Sequence, residues 1–216
     1  MIQLLMQGVL ETLYMTLGGA GLAYLFGLPL GVILYATGKD GIRPCRPVSA
    51  VLGFAANILR SIPFLILLVL IQPFTRIVVG TTIGSSATLV PLVVAAAPFV
   101  ARMVESSLLE VDRGVVEASQ SMGAGNLQII FKVLIPEARP SLLTGAAIAV
   151  TTILGYSAVA GFCGGGGLGA IATNYGLYRY EDDVMLVTVA LLVILVQIFQ
   201  MVGTKIARTS DKRIKQ

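Results

Sequence analysis

The sequence contains no histidine, no tryptophan and few charged residues. Without histidine, imidazole-based acid–base chemistry and imidazole metal ligation are excluded. The two cysteines, Cys45 and Cys163, lie far apart and indicate neither a metal site nor a disulfide framework. Charged residues make up 12% of the chain, about half of the share usual in soluble domains, whereas 56% of the residues are hydrophobic. The composition therefore places the chain in a lipid bilayer.

Five apolar segments are long enough to cross a bilayer, because a spanning helix needs about 20 mostly apolar residues. We expect a single all-α integral membrane domain over residues 1–216. The first segment lacks a basic leader and is too long for a cleaved secretory signal, so we expect it to be retained. The predicted spans lie within residues 12–38, 48–75, 77–101, 140–162 and 184–203.

The distribution of lysine and arginine predicts the orientation, because cytoplasmic loops carry an excess of both. An outside N-terminus and an inside C-terminus leave two cations outside, Arg76 and Arg179. The net charge of +4 then reflects attraction to anionic lipid of the inner leaflet, and no nucleic-acid partner is expected. The cations placed inside are Lys39, Arg43, Arg46, Arg102, Arg113, Lys132, Arg139, Lys205, Arg208, Lys212, Arg213 and Lys215.

Arg60 interrupts the second predicted span. An arginine at the bilayer centre costs about 2.5–3.5 kcal/mol even on a lenient insertion scale. We therefore expect Arg60 near the inner interface, with residues 61–75 as the outward half of the span; a buried functional charge is the alternative. Pro63 is expected to kink or start that outward half, because proline cannot donate a hydrogen bond to the preceding turn.

Small residues and prolines mark where the predicted spans pack or break. Gly27 and Gly31 lie four residues apart in the first span, a spacing that lets two helices approach closely. Pro91 and Pro98 are expected to break the third span locally, which transporters tolerate where the backbone lines a cavity. The sequence therefore predicts a closely packed bundle with an irregular third span.

A polar loop of residues 103–139 separates the third and fourth predicted spans. Two short helices fit this loop, broken at residues 123–126, because glycine and asparagine tolerate positive φ. Pro136 is expected to stop the second helix. A helix–turn–helix of this kind suits the groove of a partner protein, and the alternative is an amphipathic segment on the inner leaflet. The apolar face of the second helix is expected to comprise Leu127, Ile130, Phe131 and Leu134.

Residues 117–136 read EASQSMGAGNLQIIFKVLIP, which resembles the cytoplasmic EAA loop of permease subunits from bacterial ABC importers. Ser119 and Ile135 depart conservatively from the alanine and leucine of the family. The resemblance implies that this loop sits in a cleft of an ATP-hydrolysing subunit and passes its closure to the spans as a rigid-body motion. The resemblance assigns this role to Glu117, Ala118, Ser119, Gly123, Ile135 and Pro136.

Four further segments, which begin at residues 60, 73, 96 and 155, resemble the permeases of bacterial methionine ABC importers. They read RSIPFLILLV, PFTRIVVGTTIG, AAPFVARMVE and GYSAVAGFCGGGGLG. The resemblance implies a type I ABC importer permease fold in the bacterial inner membrane, with D- and L-methionine as substrates. It also implies a homodimer, two ATPase subunits that use ATP and Mg²⁺, and an extracytoplasmic methionine-binding lipoprotein. No cofactor is expected on this chain.

The fourth predicted span carries several hydroxyl groups beside small residues. The resemblance places a gate of the substrate pathway at Tyr156, Ser157 and Val159. The alternative is that such hydroxyls bond to carbonyls of their own helix or to neighbouring helices. No ionisable residue is expected in mid-membrane there, which predicts a neutral, weakly binding conduit and argues against an ion-coupled carrier.

The glycine-rich stretch after the fourth span satisfies the G-x-G-x-x-G pattern through Gly164, Gly166 and Gly169. It follows a membrane span rather than a strand and has no nearby lysine, so we expect a flexible or tightly packed outer loop instead of a nucleotide site. Walker-type sequence is absent, so ATP must be bound by another chain. We expect a non-enzymatic transport subunit. The alternatives are a permease for another amino acid or small organic solute, and a stand-alone channel or ion-coupled secondary carrier.

Overall fold

The computed structural model describes residues 1–210, and the regular elements in that range are all helical. The first half forms α1 (Ile2–Thr37), α2 (Arg46–Ser61), α3 (Phe64–Leu70), α4 (Gln72–Val79) and α5 (Ser85–Leu109). The second half forms α6 (Arg113–Ser121), α7 (Asn126–Ile129), a π-helical stretch (Ile130–Leu134), α8 (Ile135–Glu137), α9 (Arg139–Ala160), a 3-10 turn (Gly161–Cys163), α10 (Gly167–Ile171), a second π-helical stretch (Ala172–Leu177) and α11 (Asp182–Ser210).

Four helical stretches are long and apolar enough to cross a membrane: α1, α5, α9 with its continuation to Leu177, and α11. α2 and α3 add a fifth candidate if the pair is counted as one broken span. The predicted spans 12–38, 140–162 and 184–203 coincide with α1, with α9 and its 3-10 turn, and with α11. The sequence therefore located these three helices correctly, although α1 begins ten residues earlier, at Ile2.

The predicted second span is not one straight helix. α2 ends at Ser61, α3 begins at Phe64, and their axes differ by 102°. The break follows from Pro63, because a residue before proline is pushed to an extended conformation, and Ile62 has ψ 122°. Pro63 therefore starts a new helix, as predicted. The guanidinium of Arg60, in the last turn of α2, lies 5.9 Å from the centroid of the Phe99 ring.

The third span differs from its prediction in two respects. Residues 77–79 belong to α4, and α5 starts at Ser85 and continues to Leu109. The helix also runs unbroken through Pro91 and Pro98, so the predicted local break is wrong. Each proline removes one backbone hydrogen bond. Both are buried in the close contact between α5 and the rest of the bundle, and this packing keeps the helix continuous.

Gly27 and Gly31 lie where α1 crosses α5. A Cβ atom on Gly27 would lie 2.7 Å from the carbonyl oxygen of Ala97, and one on Gly31 would lie 2.5 Å from that of Ala101. Either distance is too short for a side chain, so the close approach predicted from the glycine spacing is confirmed. Lipid is as apolar as the side chains, and close packing of this kind is what holds membrane helices together.

The core forms where α1, α5 and α9 meet. Met15, Leu92 and Ile153, one from each helix, are fully buried in a single cluster. The same cluster continues through Leu108 into the segment between α5 and α9, where Leu134 is also fully buried. α11 lies at the edge of the bundle, and 11% of the residues in its most apolar 18-residue window are buried.

The glycine-rich stretch folds back tightly instead of forming a phosphate loop. Gly169 packs so closely on the carbonyl oxygen of Ala158 that a Cβ atom has no room. The backbone N–H of Gly167 donates to Glu11 Oε2 at 2.7 Å, and that of Leu168 donates to Thr12 Oγ1 at 2.9 Å. The Glu11 carboxylate and the Thr12 hydroxyl thus accept from backbone N–H groups that a phosphate would need, and the tightly packed alternative is the one observed.

Candidate functional site

The segment between α5 and α9, residues 110–138, is called the connecting segment below. It is shorter than the predicted loop of residues 103–139, because residues 103–109 complete the last two turns of α5. Its first helix, α6, is capped by Asp112, whose carboxylate accepts a hydrogen bond from the Gly114 N–H at 2.7 Å. This N-cap satisfies a backbone donor that the helix itself leaves unpaired.

A tight turn at Gly123 separates the two helical parts of the connecting segment. Gly123 has φ +81°, and its N–H donates to the Gln120 carbonyl at 2.9 Å. The Ala124 N–H donates to the Ser119 carbonyl at 3.1 Å. This left-handed cap suits glycine, since an L side chain is strained at positive φ.

Pro136 does not stop the second helix, contrary to the prediction. The chain stays helical from Asn126 to Glu137, and a single residue, Ala138, separates it from α9. The π-helical stretch explains the tolerance, since there the Ile135 N–H bonds five residues back to the Ile130 carbonyl. The second helix therefore leads almost directly into α9.

The π-helical winding also changes which side chains face the core. Of the four residues predicted to form one apolar face, Ile130 and Leu134 are buried, whereas Leu127 and Phe131 are 70% and 64% exposed. Ile129 takes the remaining buried position. A π-helix has more residues per turn than an α-helix, so the apolar spacing read from the sequence does not hold across this stretch.

The six residues predicted to couple the segment to an ATPase divide into two groups. Ser119 is buried, and its hydroxyl donates to the Val115 carbonyl at 2.8 Å; Ile135 is half-buried. The other four are exposed: Glu117, Ala118, Gly123 and Pro136. Three large apolar side chains of the segment are exposed as well: Met122, Leu127 and Phe131. The sequence placed Leu127 and Phe131 on the apolar face of the second helix but did not single out Met122.

A charged network joins α2 to α5 just before the connecting segment. The guanidinium of Arg102 donates to the Gly53 carbonyl at 2.9 Å and to Asn57 Oδ1 at 3.1 Å. It also forms an ion pair with Glu105 at 2.7 Å. The sequence revealed Arg102 only as a cation, since its partners on α2 lie more than 40 residues away.

The residues predicted to form a gate do not share one face of α9. Tyr156 is half-buried and stacks on the ring of Phe64 in α3, with ring centroids 4.6 Å apart. Val159 is exposed. Ser157 is buried in the bundle, where its hydroxyl donates to the Leu154 carbonyl at 2.7 Å. For Ser157, the alternative of bonding to a helix carbonyl is therefore the one observed. The contact between Tyr156 and Phe64 is one that the sequence did not reveal.

Within residues 1–210, no cluster of three or more aspartate, glutamate or cysteine side chains is placed to hold a metal ion.

Residues 27–216 match the model of the family described as binding-protein-dependent transport system inner membrane component. A probable D-methionine transport system permease protein MetI of Vibrio cholerae is 50% identical over 97% of this chain and 93% of its own length. The D-methionine transport system permease protein MetI of Escherichia coli K12 is 50% identical over 74% of each chain.

Solved structures agree in fold. An inward-facing structure of the MetNI methionine ABC transporter contains a chain that superposes with a TM-score of 0.97, at 48% identity and with 98% of each chain covered. An amino acid ABC transporter crystallised with histidines superposes with a TM-score of 0.79 at 21% identity, covering 96% of this chain and 94% of its own. The second likeness concerns the fold alone.

Proposed function

This chain belongs to the family of binding-protein-dependent transport system inner membrane components, and we propose that it is the permease subunit of an ATP-driven methionine importer. The observation that carries the proposal is the agreement in sequence and fold, over nearly the whole chain, with proteins named for methionine transport. The function is mechanical: the chain provides the membrane path, while a separate ATPase subunit binds and hydrolyses ATP with Mg²⁺.

We propose that the exposed turn of the connecting segment docks into that ATPase subunit. Met122, Leu127 and Phe131 present large apolar side chains to solvent around Gly123, beside the carboxylate of Glu117. Such a knob suits a groove on a partner better than it suits a lipid surface, because the opposite side of the segment is already buried in the bundle. Closure of the ATPase then moves α9, since only Ala138 separates the two helices.

The topology we propose has five spans, with α2 and α3 as one broken span, an outside N-terminus and an inside C-terminus. The connecting segment, Arg102 and the Lys205–Arg208 end of α11 then lie on the cytoplasmic side, as the positive-inside rule requires. Lys212, Arg213 and Lys215 supported the same orientation and lie outside the described residues.

We further propose that two copies enclose the pathway, with two ATPase subunits inside and a methionine-binding lipoprotein outside, in the bacterial inner membrane. The exposed apolar surface of α11 supports contact with lipid or with another copy. Tyr156 and Val159 are the proposed gate residues of α9, with Phe64 behind Tyr156. Ser157 keeps a structural role in the bundle.

Reconstitution tests the proposal. The chain is placed in liposomes with its ATPase subunit and binding protein, and uptake of radiolabelled methionine is measured with ATP inside. We expect uptake that requires ATP and the binding protein and stops when the ATPase is inactivated. Uptake without any ATPase would instead support a stand-alone carrier. Uptake of a different amino acid would support an ABC importer permease for that amino acid.

The docking surface has its own test. Phe131→Ser and Leu127→Ser are expected to reduce co-purification of the ATPase subunit, since each removes an exposed apolar contact of the kind that dominates interfaces. Ile77→Ser, at an exposed apolar position of α4 away from the connecting segment, is the matched control. If the ATPase subunit co-purifies equally with all three variants, the exposed side chains of Leu127 and Phe131 contact the membrane surface and not the ATPase.

A further inference from the structure

A groove of about 1030 Å³ lies between α9 and α11, at the end of the bundle where α5 finishes, and polar and apolar side chains both line it. Two membrane helices thus turn hydrogen-bonding side chains toward one shared space. The polar residues that define this inner groove are Ser141, Thr144 and Thr151 on α9, and Gln197, Gln200 and Thr204 on α11.

The polar residues form one stripe on each helix. On α11 they recur at intervals of three and four residues, and on α9 at intervals of three and seven, which places each set on one helix face. Beside the stripes the two backbones nearly touch, because Gly203 leaves no room for a Cβ atom against Ala147. The groove is therefore a fixed feature of the way α9 and α11 pack.

The inner groove reaches deep into the membrane region. Gln197 lies about 22 Å along the helix axis from Asp182 and about 16 Å from Arg208, the charged residues near the two ends of α11. The groove therefore runs from near the middle of the bilayer to the cationic end. In the described part of the chain the side-chain amides of Gln197 and Gln200 are exposed and have no hydrogen-bond partner. Amides facing hydrocarbon in this way would be costly, so the groove must hold water, a solute or another chain.

The polarity is confined to one side of α11. Ile198 and Val202 lie within about 3 Å of Gln197 and Gln200 along the helix axis, point to another side of the helix, and are exposed and apolar. That other side suits lipid, whereas the groove side does not. The contrast between neighbouring faces argues for an aqueous space rather than for a generally polar helix.

Charges of both signs line the mouth of the inner groove. Lys205 and Arg208 line it from α11, and Glu110 lines it from the end of α5. A solute that carries a carboxylate and an ammonium group matches this arrangement. Val111 and Ala138, near the two ends of the connecting segment, also line the mouth. Motion of that segment therefore alters the opening.

We propose that the inner groove is the cytoplasmic half of the solute path: a water-filled exit that takes a zwitterionic amino acid, its carboxylate toward Lys205 and Arg208 and its ammonium toward Glu110. The inference rests on the proposed importer function and orientation, and adds to them a route and two charge contacts. The neutral upper part holds no charged partner for the solute, so the charged mouth draws it onward to the cytoplasm.

Cysteine accessibility tests the water-filled path without relying on transport. Cys45→Ser and Cys163→Ala give a background free of native thiols, and single cysteines then replace Gln197, Gln200 or Thr204 in the full complex. Ile198→Cys and Val202→Cys are the depth-matched controls. In inside-out vesicles, a charged methanethiosulfonate is expected to label the groove cysteines at least about tenfold faster than the controls, because the reactive thiolate forms in water and not in hydrocarbon.

Slow labelling of all five positions would overturn the proposal and would mean that lipid or a second copy fills the groove. Spontaneous disulfides between two copies at Gln200→Cys would overturn it in favour of a dimer contact. ATP-driven methionine uptake by the same background is measured in parallel. If the groove cysteines are not labelled while the background still takes up methionine, the water-filled path is refuted and the importer function stands. If the background shows no ATP-driven uptake of methionine, the importer function is refuted.

The solute class has a separate readout. Methionine is expected to slow labelling of Thr204→Cys more than its methyl ester, which lacks the carboxylate, or 3-(methylthio)propionate, which lacks the ammonium. Glu110→Gln is expected to abolish the advantage of methionine over 3-(methylthio)propionate. Equal protection by all three compounds, or protection by none, would refute a site for the zwitterion.

Discussion

The ring of Tyr156 lies flat on the ring of Phe64, with centroids 4.6 Å apart and planes inclined by 6°. Tyr156 belongs to α9, which follows the connecting segment, and Phe64 is the first residue of α3, directly after the break at Pro63. The stack therefore links the broken second span to the helix that the connecting segment leads into. We expect motion of α9 to reach α3 through this contact.

The stack predicts how a variant of Phe64 behaves. Phe64→Leu keeps an apolar side chain but removes the aromatic pair, a loss of about 0.5–1.5 kcal/mol beyond buried area. We expect methionine uptake per ATP hydrolysed in proteoliposomes to fall by about 2- to 10-fold, because α3 no longer follows α9. Tyr156→Phe retains both rings and is expected to match the parent chain. If Phe64→Leu takes up as much methionine per ATP hydrolysed as the parent chain, the ring stack has no role in transport.

Gly123 provides a second prediction, based on its φ of +81°. An alanine there costs about 1–2 kcal/mol, so Gly123→Ala is expected to distort the turn and reduce coupled uptake. Gly125→Ala is the matched control, since Gly125 has φ −71° and neither position has an atom within 4 Å of an added Cβ. Gly123→Pro, which forces φ to about −65°, is expected to abolish uptake without preventing membrane insertion. Unchanged ATP-driven uptake in that variant would end the docking role of the turn.

Two ion pairs predict different costs of removing an arginine. Arg102 is 24% exposed at its side chain and also bonds to α2, whereas Arg113, paired with Asp40, is 65% exposed. We expect Arg102→Met to lower the free energy of unfolding by about 1.5–3 kcal/mol, because the part-buried Gly53 carbonyl and Glu105 carboxylate lose their charged donor. Arg113→Met is expected to cost about 0–1 kcal/mol. Unfolding in mixed micelles, followed by circular dichroism as SDS is added, measures both; equal losses would contradict the network.

Local chemistry explains which parts of the fold the sequence predicted. Apolar runs bounded by charges located α1, α9 and α11, and the restriction that proline imposes on the preceding residue placed the break at Pro63. The spacing of Gly27 and Gly31 indicated a close helix approach because only glycine permits it. Each of these signals acts within a few residues and needs no partner elsewhere in the chain.

The features that the sequence did not predict depend on distant contacts. Pro91 and Pro98 stay within an unbroken helix because packing outweighs two missing hydrogen bonds. The π-helical stretch separates Phe131, which is exposed, from Ile130 and Leu134, which are buried, although an α-helical spacing would place all three on one face. Arg102 and the inner groove emerge only when helices far apart in the chain are brought together. The gate was inferred from resemblance and stays a prediction; the structure shows that the Ser157 hydroxyl donates to a carbonyl of its own helix.

Glu11 gives a last prediction, at the opposite end of the bundle from the connecting segment. Its carboxylate accepts hydrogen bonds from the Gly167 N–H at 2.7 Å and from the Gln7 amide at 2.9 Å. The contact ties α1 to the stretch that folds back after α9. Glu11→Ala leaves the part-buried Gly167 N–H without its acceptor, and we expect a loss of about 1–3 kcal/mol in the free energy of unfolding.

Glu11→Gln separates hydrogen bonding from charge, because its amide oxygen still accepts from Gly167 while the negative charge is lost. If the carboxylate acts as a backbone cap, Glu11→Gln loses less than half of what Glu11→Ala loses in the same SDS titration. Equal losses in the two variants would mean that the charge itself is required. Gln7→Ala removes the neighbouring amide only, and is expected to have the smallest effect because that bond lies at the exposed surface. We therefore expect the loss in the free energy of unfolding to be largest for Glu11→Ala, smaller for Glu11→Gln and smallest for Gln7→Ala. This order tests whether Glu11 acts through its hydrogen bonds.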